Sequence, residues 1–75
     1  MQLPNKLYSY RESVLSKFPI ILKALNDGDY SVGELYIRVS DSVTDANEFL
    51  TIIDCLYALG KIAYDENEEV LTYVD

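Results

Sequence analysis

Asp45-Ala-Asn-Glu-Phe-Leu-Thr-Ile-Ile-Asp-Cys-Leu-Tyr-Ala-Leu59, then Gly60, then Lys61-Ile-Ala-Tyr64, Asp65-Glu-Asn-Glu-Glu69 and Val70-Leu-Thr-Tyr73 is the stretch that decides the fold. At roughly 100° per residue, Phe49, Leu56, Ile53, Ile52 and Leu59 gather on one side of a helix, and Leu50 and Tyr57 widen the apolar arc. Asp45 or Thr44 caps it. Asp45-x-x-Glu48 reads as a capping box, and both acids suit the positive end of the helix dipole. Gly60 stops the helix. Beyond it, Ile62, Tyr64, Val70, Thr72 and Val74 alternate with Lys61, Ala63, Leu71 and Tyr73, the pattern of a two-faced ribbon closed by the five-residue loop Asp65–Glu69. A helix followed by such a hairpin is the back half of a winged helix.

The front half fits. Ser31-Val-Gly-Glu34 is a capping box that opens a short helix, Val32 to Val39, with Val32, Leu35, Tyr36 and Val39 as its buried face. Tyr30, just before it, can supply the short strand that pairs with a wing. Upstream, Val14, Phe18, Ile21 and Leu25 recur at helical spacing, which predicts a helix from about Ser13 to Asn26. Pro19 interrupts it. Either the helix kinks there, the favoured reading, or it begins near Ser16 with Pro19 in its first turn. Asn26-Asp-Gly28 ends it, with Gly28 free to take positive φ. Ser40 to Thr44 is a polar loop. Residues 1–12, with Leu3, Tyr8 and Tyr10 as large apolar groups, form an N-terminal arm that either packs back on the domain, the favoured reading, or waits for a partner, and 13–75 form the domain. The fold class is α+β, mostly α: a winged helix-turn-helix of three helices plus a C-terminal two-stranded wing.

The charges do not suit DNA. Residues 1–40 hold Lys6, Arg11, Lys17, Lys23 and Arg38 against four acids, but residues 41–75 hold Lys61 alone against nine, and the whole chain carries −7. A duplex presents one negative charge per roughly 1.7 Å and is bound mainly by Lys and Arg. The polar face of the third helix (Asn47, Thr51, Asp54 and Ala58) lacks the Arg, Lys or Gln that reads base edges. A DNA-binding regulator survives only if the five upstream cations converge on one face.

Catalysis and cofactors find no footing. With 75 residues and no histidine, the chain is one small domain without a zinc-ligand pattern. Its glycines are isolated, so no phosphate loop is formed. The acids fall in turns and caps, where solvent leaves them unperturbed. Cys55, the single cysteine, has no basic neighbour to activate it and suits a reducing, cytoplasmic setting. No apolar run is long enough to span a membrane, and Met1-Gln-Leu-Pro-Asn-Lys6 lacks the apolar core of a signal peptide. The expected contact residues are Tyr8 and Tyr10 on the arm and Asp65, Glu66, Glu68 and Glu69 on the wing. Three roles fit: an adaptor docking on a basic protein surface, a winged-helix transcriptional regulator, and an inhibitor that mimics DNA.

The runs Ser13-Val-Leu-Ser-Lys-Phe-Pro-Ile-Ile-Leu-Lys-Ala-Leu25, Ser31-Val-Gly-Glu-Leu-Tyr36 and Asp54-Cys-Leu-Tyr-Ala-Leu-Gly-Lys-Ile62 resemble the short middle component of bacterial ABC-three component systems. The Lamassu type of phage defence belongs to that group. The resemblance spans about Leu3 to Val74. It implies a helix-turn-helix protein encoded between an ABC- or SMC-like ATPase and an effector, often a nuclease, and acting as the adaptor that couples them. That family has no catalytic motif, so it assigns no active-site residue, and it implies no cofactor.

Overall fold

The computed structural model describes residues 3–75, with side chains from Ser9 onward. Four α-helices precede one hairpin: α1 (Leu3–Ser16), α2 (Phe18–Asp27), α3 (Val32–Val39), α4 (Ala46–Ala58), β1 (Ile62–Asp65) and β2 (Val70–Tyr73). A 3-10 turn, Ser40–Ser42, links α3 to α4. Helices α2, α3 and α4 with the hairpin make the winged helix, and α1 is added in front.

Pro19 sets the first boundary, and the kinked helix over 13–26 is not what forms. Lys17 leaves the helical hydrogen-bond pattern, α2 starts afresh at Phe18, and Pro19 occupies its first turn. There the missing amide costs nothing, because the first amides of a helix have no intrahelical partner. Residues 3–12 of the arm are helical. They belong to a helix that runs unbroken through position 12 to Ser16. Pro4 in its first turn is the signal that reading passed over.

Gly28 has φ 173° and ψ 170°, an extended conformation open to any residue, so α2 ends without a left-handed cap. The Ser31 box forms as expected: the Glu34 amide donates to Ser31 Oγ at 3.1 Å, and the Ser31 amide donates to Glu34 Oε1 at 3.1 Å. The polar linker also contributes to the core through buried Val43. Gly60 does need its freedom, with φ 75° directly after α4.

The core joins Ile21, Ala24 and Leu25 of α2, Leu35 and Val39 of α3, and Phe49, Ile52, Ile53 and Leu56 of α4. Ile62 and Leu71 close it from the hairpin, and Val14 from α1. Tyr36 packs on Phe49 with ring centroids 5.1 Å apart. The α4 arc is narrower than its composition predicts: Leu50, Tyr57 and Leu59 are 47%, 59% and 62% exposed. A 75-residue chain runs out of partners before an arc that wide is covered.

In the hairpin Asp65 pairs with Val70 and Ile62 with Tyr73, so the tip is the four residues 66–69 rather than five. That one-residue difference reverses the facing of one strand against the other. Ile62, Tyr64, Leu71 and Tyr73 therefore share a face, not Ile62, Tyr64, Val70 and Thr72. Tyr30 bridges Leu71 as a one-residue third strand, its carbonyl accepting from the Leu71 amide at 2.7 Å.

Candidate functional site

Two places on this scaffold concentrate chemistry, and they behave oppositely. The first is the N-terminal end of α4. Asp45 caps the helix, its Oδ1 accepting from the Glu48 amide at 2.9 Å. The reciprocal half of the box does not form. Glu48 turns inward and is 3% exposed. Its Oε1 accepts from the Lys17 ammonium at 2.6 Å and the Thr44 amide at 2.8 Å, and its Oε2 from the Ser13 hydroxyl at 3.0 Å. The Lys17 contact, then the Thr44 amide, hold the Glu48 carboxyl down at about 2 against the upward push of burial. Glu48 is thus the exception to the expectation that the acids stay solvated. It locks α1, the α1–α2 corner and the start of α4 together, and it is fully committed to that task.

The second place is the hairpin tip, where Asp65, Glu66, Glu68 and Glu69 come together. Asp65 is not spare charge. Its Oδ1 accepts from the Asn67 amide at 2.9 Å and the Glu68 amide at 3.2 Å, which shapes the turn. Glu66, Glu68 and Glu69 are exposed, and no ion pair or side-chain hydrogen bond engages them among the described residues. Glu69 has φ 58°, a left-handed conformation that favours glycine or asparagine.

Tyr10 lies on α1, 48% exposed, with its hydroxyl donating to Thr51 Oγ1 of α4 at 3.3 Å. The side chain of Tyr8 lies outside the described residues. The tyrosines and the acids therefore belong to different elements. Sequence reasoning missed the outward stripe of α4. Leu50, Asp54 and Tyr57 follow at i, i+4 and i+7, and all are exposed. The signal is the excess width of the apolar arc, to which Leu50 and Tyr57 contribute.

Of the five upstream cations, the side chain of Lys6 lies outside the described residues. Lys17 is held by Glu48. Lys23 and Arg38 line a shallow cleft of about 250 Å³ between α2 and α3, together with Asp27. The Arg38 guanidinium also lies over the Tyr30 ring, 5.2 Å from its centroid. Among the described residues no cluster of metal-ligating side chains occurs, and no helix is long and apolar enough to cross a membrane. Cys55 is a half-buried free thiol.

No curated protein and no solved structure matches the chain. A family model does match, over residues 3–71: ABC-three component (ABC-3C) system Middle Component 7. Those residues take in all four helices, β1 and the start of β2, so nearly the whole scaffold falls within the match. The chain belongs to the Middle Component 7 family of ABC-three component systems.

Proposed function

We propose that this chain is a non-catalytic adaptor in a cytoplasmic, anti-phage ABC-three component system. It couples an ABC- or SMC-like ATPase to an effector, such as a nuclease, through protein–protein contacts. The family membership supports a place among several components. The observation that carries the adaptor reading is the hairpin tip: Glu66, Glu68 and Glu69 stand exposed, and Glu69 occupies a left-handed backbone conformation unfavourable to a glutamate. Opposed charges at an interface chiefly raise the association rate and select the partner. The tip is therefore the steering element for a basic surface on the ATPase. Tyr8 and Tyr10 on α1 form a second contact, since tyrosine supplies much area for little entropy.

The test is the triple charge reversal Glu66→Lys, Glu68→Lys, Glu69→Lys, which spares the turn-forming Asp65. Circular dichroism and melting temperature should barely change. Association with the ATPase component should slow by about tenfold or more at low salt, and the loss should fade as salt rises, because screening acts within roughly 8–10 Å. Unchanged association kinetics would reduce the tip to a solvated loop. Deleting residues 1–10 should weaken the complex while leaving the fold standing, because Ser13, Val14 and Lys17 remain.

A further inference from the structure

In a winged helix that reads DNA, the outward face of the last helix enters the groove. Here that face is polar at Asn47 and Asp54 and small at Ala58, and one flank of it is α4's exposed stripe of Leu50, Asp54 and Tyr57. Leu50 is 47% exposed and Tyr57 59%. Asp54, between them, has no hydrogen-bond or ion-pair partner among the described residues. The stripe carries no cation, and Lys61 is the only one between Asp41 and Asp75. A carboxylate flanked by a leucine and a tyrosine at helical spacing is a poor solvated face and a good recognition element. Interfaces draw their affinity from a few aromatic and Arg anchors, surrounded by charges that steer.

We infer that the outward face of α4 is the central anchor of the adaptor's docking surface, and that its occupant is a basic partner segment presenting an arginine flanked by apolar side chains. The arginine would pair with Asp54 and lie against the Tyr57 ring, uniting a charge-assisted hydrogen bond with a cation–π contact. The flanking apolar groups would cover Leu50. Charge complementarity selects this occupant over a second copy, because residues 41–75, which carry the face, hold nine acids and one cation, Lys61. The inference rests on the adaptor reading, and it divides the labour of the interface: the hairpin tip steers, and α4 holds.

Steering charges and buried anchors leave different kinetic signatures. Rim charges change the on-rate in a salt-dependent way, whereas anchors change the off-rate. The experiment measures binding of the full chain to the purified ATPase component of its own system, by surface plasmon resonance at low and high salt. Asp54→Lys and Tyr57→Ala are compared with the hairpin-tip reversal. At such exposed positions both single variants should keep the wild-type melting temperature to within a few degrees. The expected result is that each raises Kd by about thirtyfold or more, through a faster off-rate that persists at high salt. Kd values within threefold of wild type for both variants would overturn the α4 assignment, while a slowed on-rate in the tip reversal would still uphold the adaptor reading. No complex with the wild-type chain would overturn both. Sedimentation gives the remaining outcome: a wild-type dimer that Tyr57→Ala dissociates, with ATPase binding intact, would assign the face to a second copy and overturn the inference.

Discussion

Replacing Glu48 by Gln isolates the most consequential polar contact in the chain. The amide keeps the shape and one acceptor oxygen but removes the charge that Lys17 answers. The folded-state pKa of Glu48 is about 2, against an ordinary 4.5. A depressed carboxyl stabilises the fold above the unfolded-state pKa, and that contribution is lost as pH falls through the folded-state value. The window is therefore pH 4.5 down to 2. At ~1.36 kcal/mol per pH unit the full contribution is about 3 kcal/mol, of which about 2 kcal/mol is gone by pH 3. Lys17 keeps 18% of its side chain in water, and this screens the pair, so about 3 kcal/mol is a ceiling. The assay is urea unfolding followed by circular dichroism, for both proteins, in steps from pH 7 to pH 2.5. The wild-type advantage over Glu48→Gln should hold level above pH 5 and shrink to about a quarter of that by pH 2.5. Taking the difference between the two proteins cancels the other twelve acids, which titrate in both. A difference that stays constant across the whole range would refute the linkage, and with it the assignment of Glu48 as an ionised buried clamp.

Other consequences can be checked singly. Leu56 is fully buried, so Leu56→Ala should cost about 2–5 kcal/mol and leave the domain largely unfolded at 37 °C, read from its melting curve. An unchanged melting temperature would mean that α4 presents a different face to the core. Glu69→Asn should raise the urea midpoint by the equivalent of about 0.5–1 kcal/mol, because asparagine accepts the left-handed conformation more readily. A lowered midpoint would show that the glutamate is doing structural work at the tip. The isolated protein should show no duplex DNA binding at physiological salt in an anisotropy titration. Micromolar binding with a steep negative salt slope would instead favour a regulator.

What the sequence discloses here is what is local. The Ser31–Glu34 box lies within one helical turn, and Val32, Leu35, Tyr36 and Val39 keep their helical spacing, so α3 could be read directly. The acids at the hairpin tip were equally legible, since a tight turn carries its position with it. Readings failed wherever a second element had to vote. Glu48 has the spacing of a capping residue, and only its encounter with Lys17, 31 positions away, turns it inward. Leu50 and Tyr57 are as apolar as Ile52 and Leu56, and only the number of available neighbours decides which are covered. The hairpin register turned on one residue of loop length, which no alternation pattern reports. For the candidate site the same division holds. The tip acids could be named in advance, but separating Asp65, which builds the turn, from the three glutamates that are free required the backbone amides to be in place.

The Tyr30–Leu71 bridge gives the molecule a mechanical character. A hairpin joined to its body only through the end of α4 would swing about Gly60 when pulled. This one is stitched a second time, to the segment between α2 and α3, by two backbone hydrogen bonds. A load applied at Glu66–Glu69 is then shared between the two attachments, and the hairpin acts as a lever fixed at two points. The corner between α2 and α3 would feel a displacement that begins at the tip.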